Sequence, residues 1–88
     1  MDLGIAGRKA LVCGSSEGLG HACAAALAEA GVDVVLNGRD GAKLARAADA
    51  LSERVGRALA HIAADVTTPD GRAALLEACP EPDILVTN

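Results

Sequence analysis

The segment Gly14-Ser15-Ser16-Glu17-Gly18-Leu19-Gly20 sets three glycines in a G-x-x-x-G-x-G pattern. It lies between an apolar run, Lys9 to Cys13, and a stretch of helical periodicity, Gly20 to Ala30. A strand that feeds a glycine turn and then a helix is the first step of a parallel α/β layer. Gly14 permits the tight turn. Gly18 has no Cβ, so a bulky anion can approach the backbone, and Gly20 lets the helix lie close to the sheet. The helix N-terminus offers free N–H groups and a positive dipole end to a phosphate. Ser15 and Ser16 add hydroxyl donors. The plain alternative is an ordinary turn of small residues. A P-loop is excluded, because no Gly-Lys-Ser/Thr follows.

The rest of the chain repeats the alternation. Leu19, Cys23, Ala26, Leu27 and Ala30 fall on one predicted helical face, and Gly31 stops that helix. Val32 to Leu36 is a β-branched run that reads as the second strand, ended by Asn37-Gly38. Asp40 is the predicted N-cap of a second helix, with Leu44, Ala47, Ala48, Leu51 and Val55 on its inner face and Gly56 at its close. Ala58 to Val66 reads as a third strand. Thr68 caps a third helix with Pro69 at its first position, and Pro80 and Pro82 stop it. Asp83 to Thr87 is a fourth strand. The order β-α-β-α-β-α-β predicts a Rossmann-like, doubly wound parallel sheet, of which this is the first half, with strand order 3-2-1-4. The whole span 1–88 reads as the amino-terminal part of a single NAD(P)-binding Rossmann domain, stopping before the other half. The apolar strand Ile84-Leu85-Val86 is then an edge that calls for the remainder of that domain as its partner.

Composition narrows the function classes. The chain has no Phe, Trp or Tyr and a net charge of −4. It therefore lacks both the stacking platforms and the basic footprint of a nucleic-acid binder. The longest unbroken apolar run, Ala22 to Ala28, is far short of a membrane span, and Met1-Asp2-Leu3-Gly4 shows no signal-peptide pattern. Cys13, Cys23 and Cys79 are odd in number and form no CxxC, which argues for buried free thiols and a cytoplasmic setting. His21 and His61 are not spaced as a metal pair, so no metal site is expected.

The end of the second strand bears on cofactor choice. In the dinucleotide-binding fold an acid there holds the adenosine ribose of NAD, whereas a nearby Arg accommodates the 2′-phosphate of NADP. Gly38 lies 18 residues past Gly20 and carries no carboxylate, and Arg39 follows it with a planar fork suited to phosphate. Gly38 also speaks against a methyltransferase loop, which needs an acid at that position. NADP(H) is the expected cofactor, with NAD(H) as the alternative. Lys43 stands one helical turn further on.

These residues resemble the short-chain dehydrogenase/reductases. The resemblance covers the whole chain and rests on Gly14-x-x-x-Gly18-x-Gly20, Asn37-Gly38-Arg39, Asp65-Val66 and Asp83 to Asn88. It differs in detail. Cys13 stands where a Thr is usual, Leu19 where an Ile is common, and Thr87-Asn88 where the family has Asn-Asn. The resemblance implies that Asp65 bonds the adenine amino group, that the Val66 backbone also meets adenine, and that Asn88 lies near the cofactor riboses. Gly14, Ser15, Ser16, Gly18, Leu19, Gly20, Gly38 and Arg39 complete the expected cofactor-binding set. It further implies hydride transfer between NADP(H) and a small-molecule carbonyl or alcohol, such as a 3-oxoacyl thioester or a small ketone, in a homo-oligomer. The family's catalytic Ser, Tyr and Lys lie beyond residue 88, so no catalytic residue is assigned in this chain. The competing expectation is a non-catalytic dinucleotide-binding module. A downstream Tyr-x-x-x-Lys with an upstream Ser separates the two.

Overall fold

The computed structural model describes residues 6–87. It contains β1 (Lys9–Val12), α1 (Gly18–Glu29), β2 (Asp33–Gly38), α2 (Gly41–Val55), β3 (Ala60–Ala63), α3 (Pro69–Ala78) and β4 (Ile84–Val86). The four strands form one parallel sheet in the order β3-β2-β1-β4. Both the doubly wound α/β class and the predicted strand order are borne out. No helix among the described residues is long and apolar enough to cross a membrane.

Alternation along the strands sorts side chains to two faces. Ala10, Val12, Val34 and Leu36 point to the side covered by α1 and α2, where they meet Ala24, Ala28, Leu44, Ala48 and Leu51. Leu11, Cys13 and Val35 point to the other side, under Leu75 and Cys79 of the α3 region. Fully burying a side chain such as Leu36 or Leu44 contributes about 2 kcal/mol. Local chemistry fixes the helix ends. The Asp40 carboxylate accepts from the amides of Ala42 and Lys43, and Gly56 closes α2 in a left-handed conformation. Thr68 accepts from the Gly71 amide, with Pro69 following it. At the far end of α1, Arg57 Nη2 donates to the Ala28 and Val32 carbonyl oxygens, at 2.7 and 2.8 Å. This cation satisfies acceptors that a helix C-terminus leaves open and matches its negative dipole end.

Several boundaries differ from the sequence-based expectation. Helix α1 starts at Gly18 rather than Gly20, and β2 runs on through Asn37 and Gly38. Strand β3 is only four residues long, because pairing with β2 stops at Gly38↔Ala63. The predicted buried face of α1 is also corrected. The buried residues are Gly20, Ala24, Ala25 and Ala28, while Ala26 is exposed and Leu19 keeps 82% of its surface in solvent. The cause is steric. The helix lies close to the sheet, and only small side chains at positions four apart fit beneath it.

Gly20 is the tightest point of that approach. A Cβ there would overlap the Gly14 carbonyl oxygen and lie 3.2 Å from Ser15 Cα. Gly56, by contrast, has open space around it and is constrained only by its φ of 76°. Gly20→Ala should therefore destabilise the full-length protein by about 3 kcal/mol through backbone overpacking, against about 1 kcal/mol for Gly56→Ala, where left-handed strain alone acts. Denaturant melts of both variants check this ordering.

Candidate functional site

A cleft of about 360 Å³ opens at the carboxyl ends of β1, β2 and β3. This is the crevice where ligands bind in open α/β sheets. Gly14, Ser16 and Glu17 form one wall, Gly38 and Arg39 a second, and Asp65, Val66 and Thr67 a third. Of the residues predicted from sequence, the cleft thus gathers Gly14, Ser16, Gly38, Arg39, Asp65 and Val66. Leu19 and Gly20 line an adjoining depression with Cys23, Val86 and Thr87. Asn88 lies outside the described residues.

The glycine loop has the shape of an anion cradle. Gly14 and Gly18 have φ of 63° and 66°, a region that side chains rarely adopt, and Gly18 faces open space. Glu17 is the N-cap of α1, yet its side chain makes no capping bond, and the first turn of α1 holds no acid. The positive end of α1 is therefore left without a carboxylate, unlike that of α2, which Asp40 caps. Gly38 brings β2 against the loop, so that a Cβ there would lie 3.4 Å from Ser16 Oγ.

Ser15 behaves differently from its expected role as a phosphate donor. It is completely buried, and its hydroxyl donates to the Val12 carbonyl at 2.8 Å while accepting from the Asn37 amide at 2.9 Å. The side chain fixes the loop from within. Asn37, which the sequence pattern placed only at a strand end, is its counterpart. Asn37 is 2% exposed. Its carbonyl oxygen accepts from Ser15 N at 2.7 Å. Its Nδ2 donates to the Ile62 and Ala64 carbonyls at 3.0 and 3.1 Å, and its Oδ1 accepts a long bond from Gly14 N. A buried carboxamide is costly unless its donors and acceptors are used, and here both hydrogens are. An Asn inside an apolar strand beside the glycine loop was the available signal. His21 adds a tie from α1, with Nδ1 3.2 Å from the Ser15 carbonyl oxygen.

Asp65 anchors the third wall. Its Oδ1 accepts from Thr67 Oγ1 at 2.6 Å and from Thr67 N at 2.9 Å. The Asp65 backbone carbonyl accepts from the Thr68 amide and hydroxyl. Gly71 is a glycine because a Cβ there would overlap that same carbonyl. The Thr67 hydroxyl bond, then the Thr67 amide bond, hold the Asp65 carboxyl below its usual range, and the Arg39 charge adds to the effect. Because the folded carboxyl has the lower pKa, ionised Asp65 stabilises the fold above its unfolded pKa. That contribution is lost as pH falls through the folded value. Thr67→Val should raise the Asp65 pKa towards the ordinary carboxylate value, because it removes the largest cause. Carboxyl-carbon NMR titration of the full-length protein reads this shift, and an unchanged midpoint contradicts it.

Known proteins are similar to this chain in sequence and in fold. The chain is 43% identical over 89 residues to the uncharacterized oxidoreductase YvaG of Bacillus subtilis (strain 168), covering 100% of this chain and 34% of that protein. It is 35% identical over 78 residues to a 7beta-hydroxysteroid dehydrogenase of Clostridium sardiniense, covering 89% of this chain and 30% of the relative. Its structure matches that of L-sorbose reductase from Gluconobacter frateurii complexed with NADPH and L-sorbose. The TM-score is 0.93 at 40% identity, over 100% of this chain and 35% of the reductase. The chain thus spans about a third of the length of these relatives. The sequence model of the short chain dehydrogenases matches residues 8–88, and the chain belongs to that family.

Proposed function

We propose that this chain is the adenosine- and pyrophosphate-binding part of an NADP(H)-dependent oxidoreductase acting on a carbonyl or alcohol substrate. The observation that carries this reading is the uncapped N-terminus of α1, set on a glycine loop with open space at Gly18 and facing a cleft rimmed by Arg39. The bound nicotinamide cofactor supplies the hydride chemistry. The first-turn amides of α1, with Ser16, hold the pyrophosphate. Ser15 and Asn37 keep the loop in shape for it. Arg39 takes the 2′-phosphate, and no carboxylate at Gly38 repels it. Asp65 and the Val66 backbone meet the adenine, Leu19 lies along the cofactor path, and Asn88 meets the riboses.

The NADPH complex of the L-sorbose reductase supports the choice of cofactor. That reductase and the 7beta-hydroxysteroid dehydrogenase differ in substrate. That one is a reductase and the other a dehydrogenase supports the carbonyl/alcohol class, and their different substrates leave both a 3-oxoacyl thioester and a small ketone as readings. The chain has no Tyr, so proton exchange with the substrate oxygen falls to residues beyond it. This same fact keeps a non-catalytic dinucleotide-binding module as the second reading. Leu85 of β4 and Leu76 of α3 are 59% and 61% exposed beside an apolar groove that includes Leu11, Val66 and Leu75. We assign this surface to the remainder of the same Rossmann domain, within a homo-oligomer. The three free cysteines suit a reducing cytoplasm.

Two substitutions in the full-length protein test the assignment. Arg39→Asp should weaken NADP(H) far more than NAD(H), by about 1.5–3 kcal/mol, because a bidentate phosphate partner becomes a like charge. Equal losses in a calorimetric titration contradict the 2′-phosphate role. Gly18→Val should abolish binding of both dinucleotides while leaving the far-ultraviolet circular dichroism largely intact, since its added atoms fill the cradle. Normal binding by that variant makes the glycine turn purely structural.

A further inference from the structure

Glu17 poses a problem for the loop it belongs to. It sits at the N-cap of α1, the position from which a carboxylate is drawn to the free first-turn amides. A carboxylate there competes with any anionic ligand. The structure shows Glu17 pulled the other way, with Oε2 2.8 Å from Lys43 Nζ. Lys43 stands on the first turn of α2, and its backbone is fixed in turn by the Asp40 carboxylate, which accepts from the Lys43 amide at 3.1 Å. The ion pair therefore reaches from one wall of the cleft to α2, and the α1 N-terminus stays open beside it.

We propose that Lys43 is a positioning residue that holds the Glu17 carboxylate off the α1 N-terminus and so keeps the pyrophosphate cradle open. This rests on the reading of the glycine loop as that cradle. Both side chains are substantially exposed, at 42% and 71%, so the pair contributes little to stability. Its effect lies in where it places a negative charge. With Lys43 neutralised, Glu17 is free to turn onto the helix amides and to repel an incoming diphosphate. The proposal gives Lys43 a role in binding every nucleotide that carries a pyrophosphate, with or without a 2′-phosphate.

The test is calorimetric titration of the full-length protein with ADP and with 2′,5′-ADP at low ionic strength, where exposed charges are least screened. Lys43→Gln should weaken ADP by about threefold to tenfold, the scale of a single charge acting near a helix terminus. Glu17→Gln in that background should restore ADP to within about twofold of the wild type, and Lys43→Arg should bind as the wild type does. Thermal melts of all variants should coincide. An ADP affinity unchanged by Lys43→Gln overturns the proposal, as does a loss that Glu17→Gln does not reverse. A loss confined to 2′,5′-ADP overturns it too and makes Lys43 a direct partner of the 2′-phosphate. Wild-type protein that binds neither nucleotide overturns the dinucleotide reading and this proposal with it.

Discussion

The Asn37 carboxamide is the point from which the cleft hangs. It takes both of its hydrogens to the carbonyls on either side of the end of β3, while the Asn37 backbone exchanges bonds with Ser15 in the glycine loop. Three segments remote in sequence are thereby held by one buried residue. Ser15 completes the clasp by bonding back to Val12, so the loop is tied to the strand it leaves as well as to the strand beside it. Neutral hydrogen bonds of this kind are modest singly. Loss of one partner in the interior is costly, because the others are left without water. The loop is in this way held in shape before any ligand arrives, and such preorganisation lowers the ordering cost of binding.

The consequences run outward from that clasp. The loop fixed by Ser15 and Asn37 sets the Gly14 carbonyl where only a glycine at position 20 can pass it. Gly20 in turn lets α1 lie on the sheet through Ala24 and Ala28. Glu17, the N-cap of the helix that results, lines the cleft, and the first turn of that helix carries no acid. Charge at the rim follows a matching plan. Arg39 acts on Asp65, and Lys43 pairs with Glu17.

The architecture was legible in the sequence because its punctuation is chemical. Asp40, Thr68-Pro69 and Gly56 each act where they stand in the chain, and the β-branched run of β2 needs no distant partner to be recognised. Gly14, Ser16, Gly38-Arg39 and Asp65-Val66 were legible for the same reason, and the structure brings them to one cleft, while Gly20 lines a second depression with Leu19. What failed depended on tertiary contact. Helix α1 is apolar on most sides, so its spacing did not say which side meets the sheet, and the small-residue side won because the approach is close. The direction of the Ser15 hydroxyl depends on Asn37, 22 residues away, and the need for Gly71 depends on the Asp65 carbonyl. Arg57 looks like a loop charge until the end of α1 is beside it.

The central claim is that the α1 N-terminus, presented by the Ser15–Asn37 clasp, is where a dinucleotide's pyrophosphate binds. Amide chemical-shift mapping of the full-length protein during titration with NADP⁺ tests it most directly. The account predicts that the amides of Ser16, Gly18, Leu19 and Gly20 shift most, with Arg39 and Val66 following and the α3 amides near Leu76 barely moving. Saturable shifts concentrated in the apolar groove of Leu75 and Leu85, with the glycine-loop amides unmoved, would contradict it.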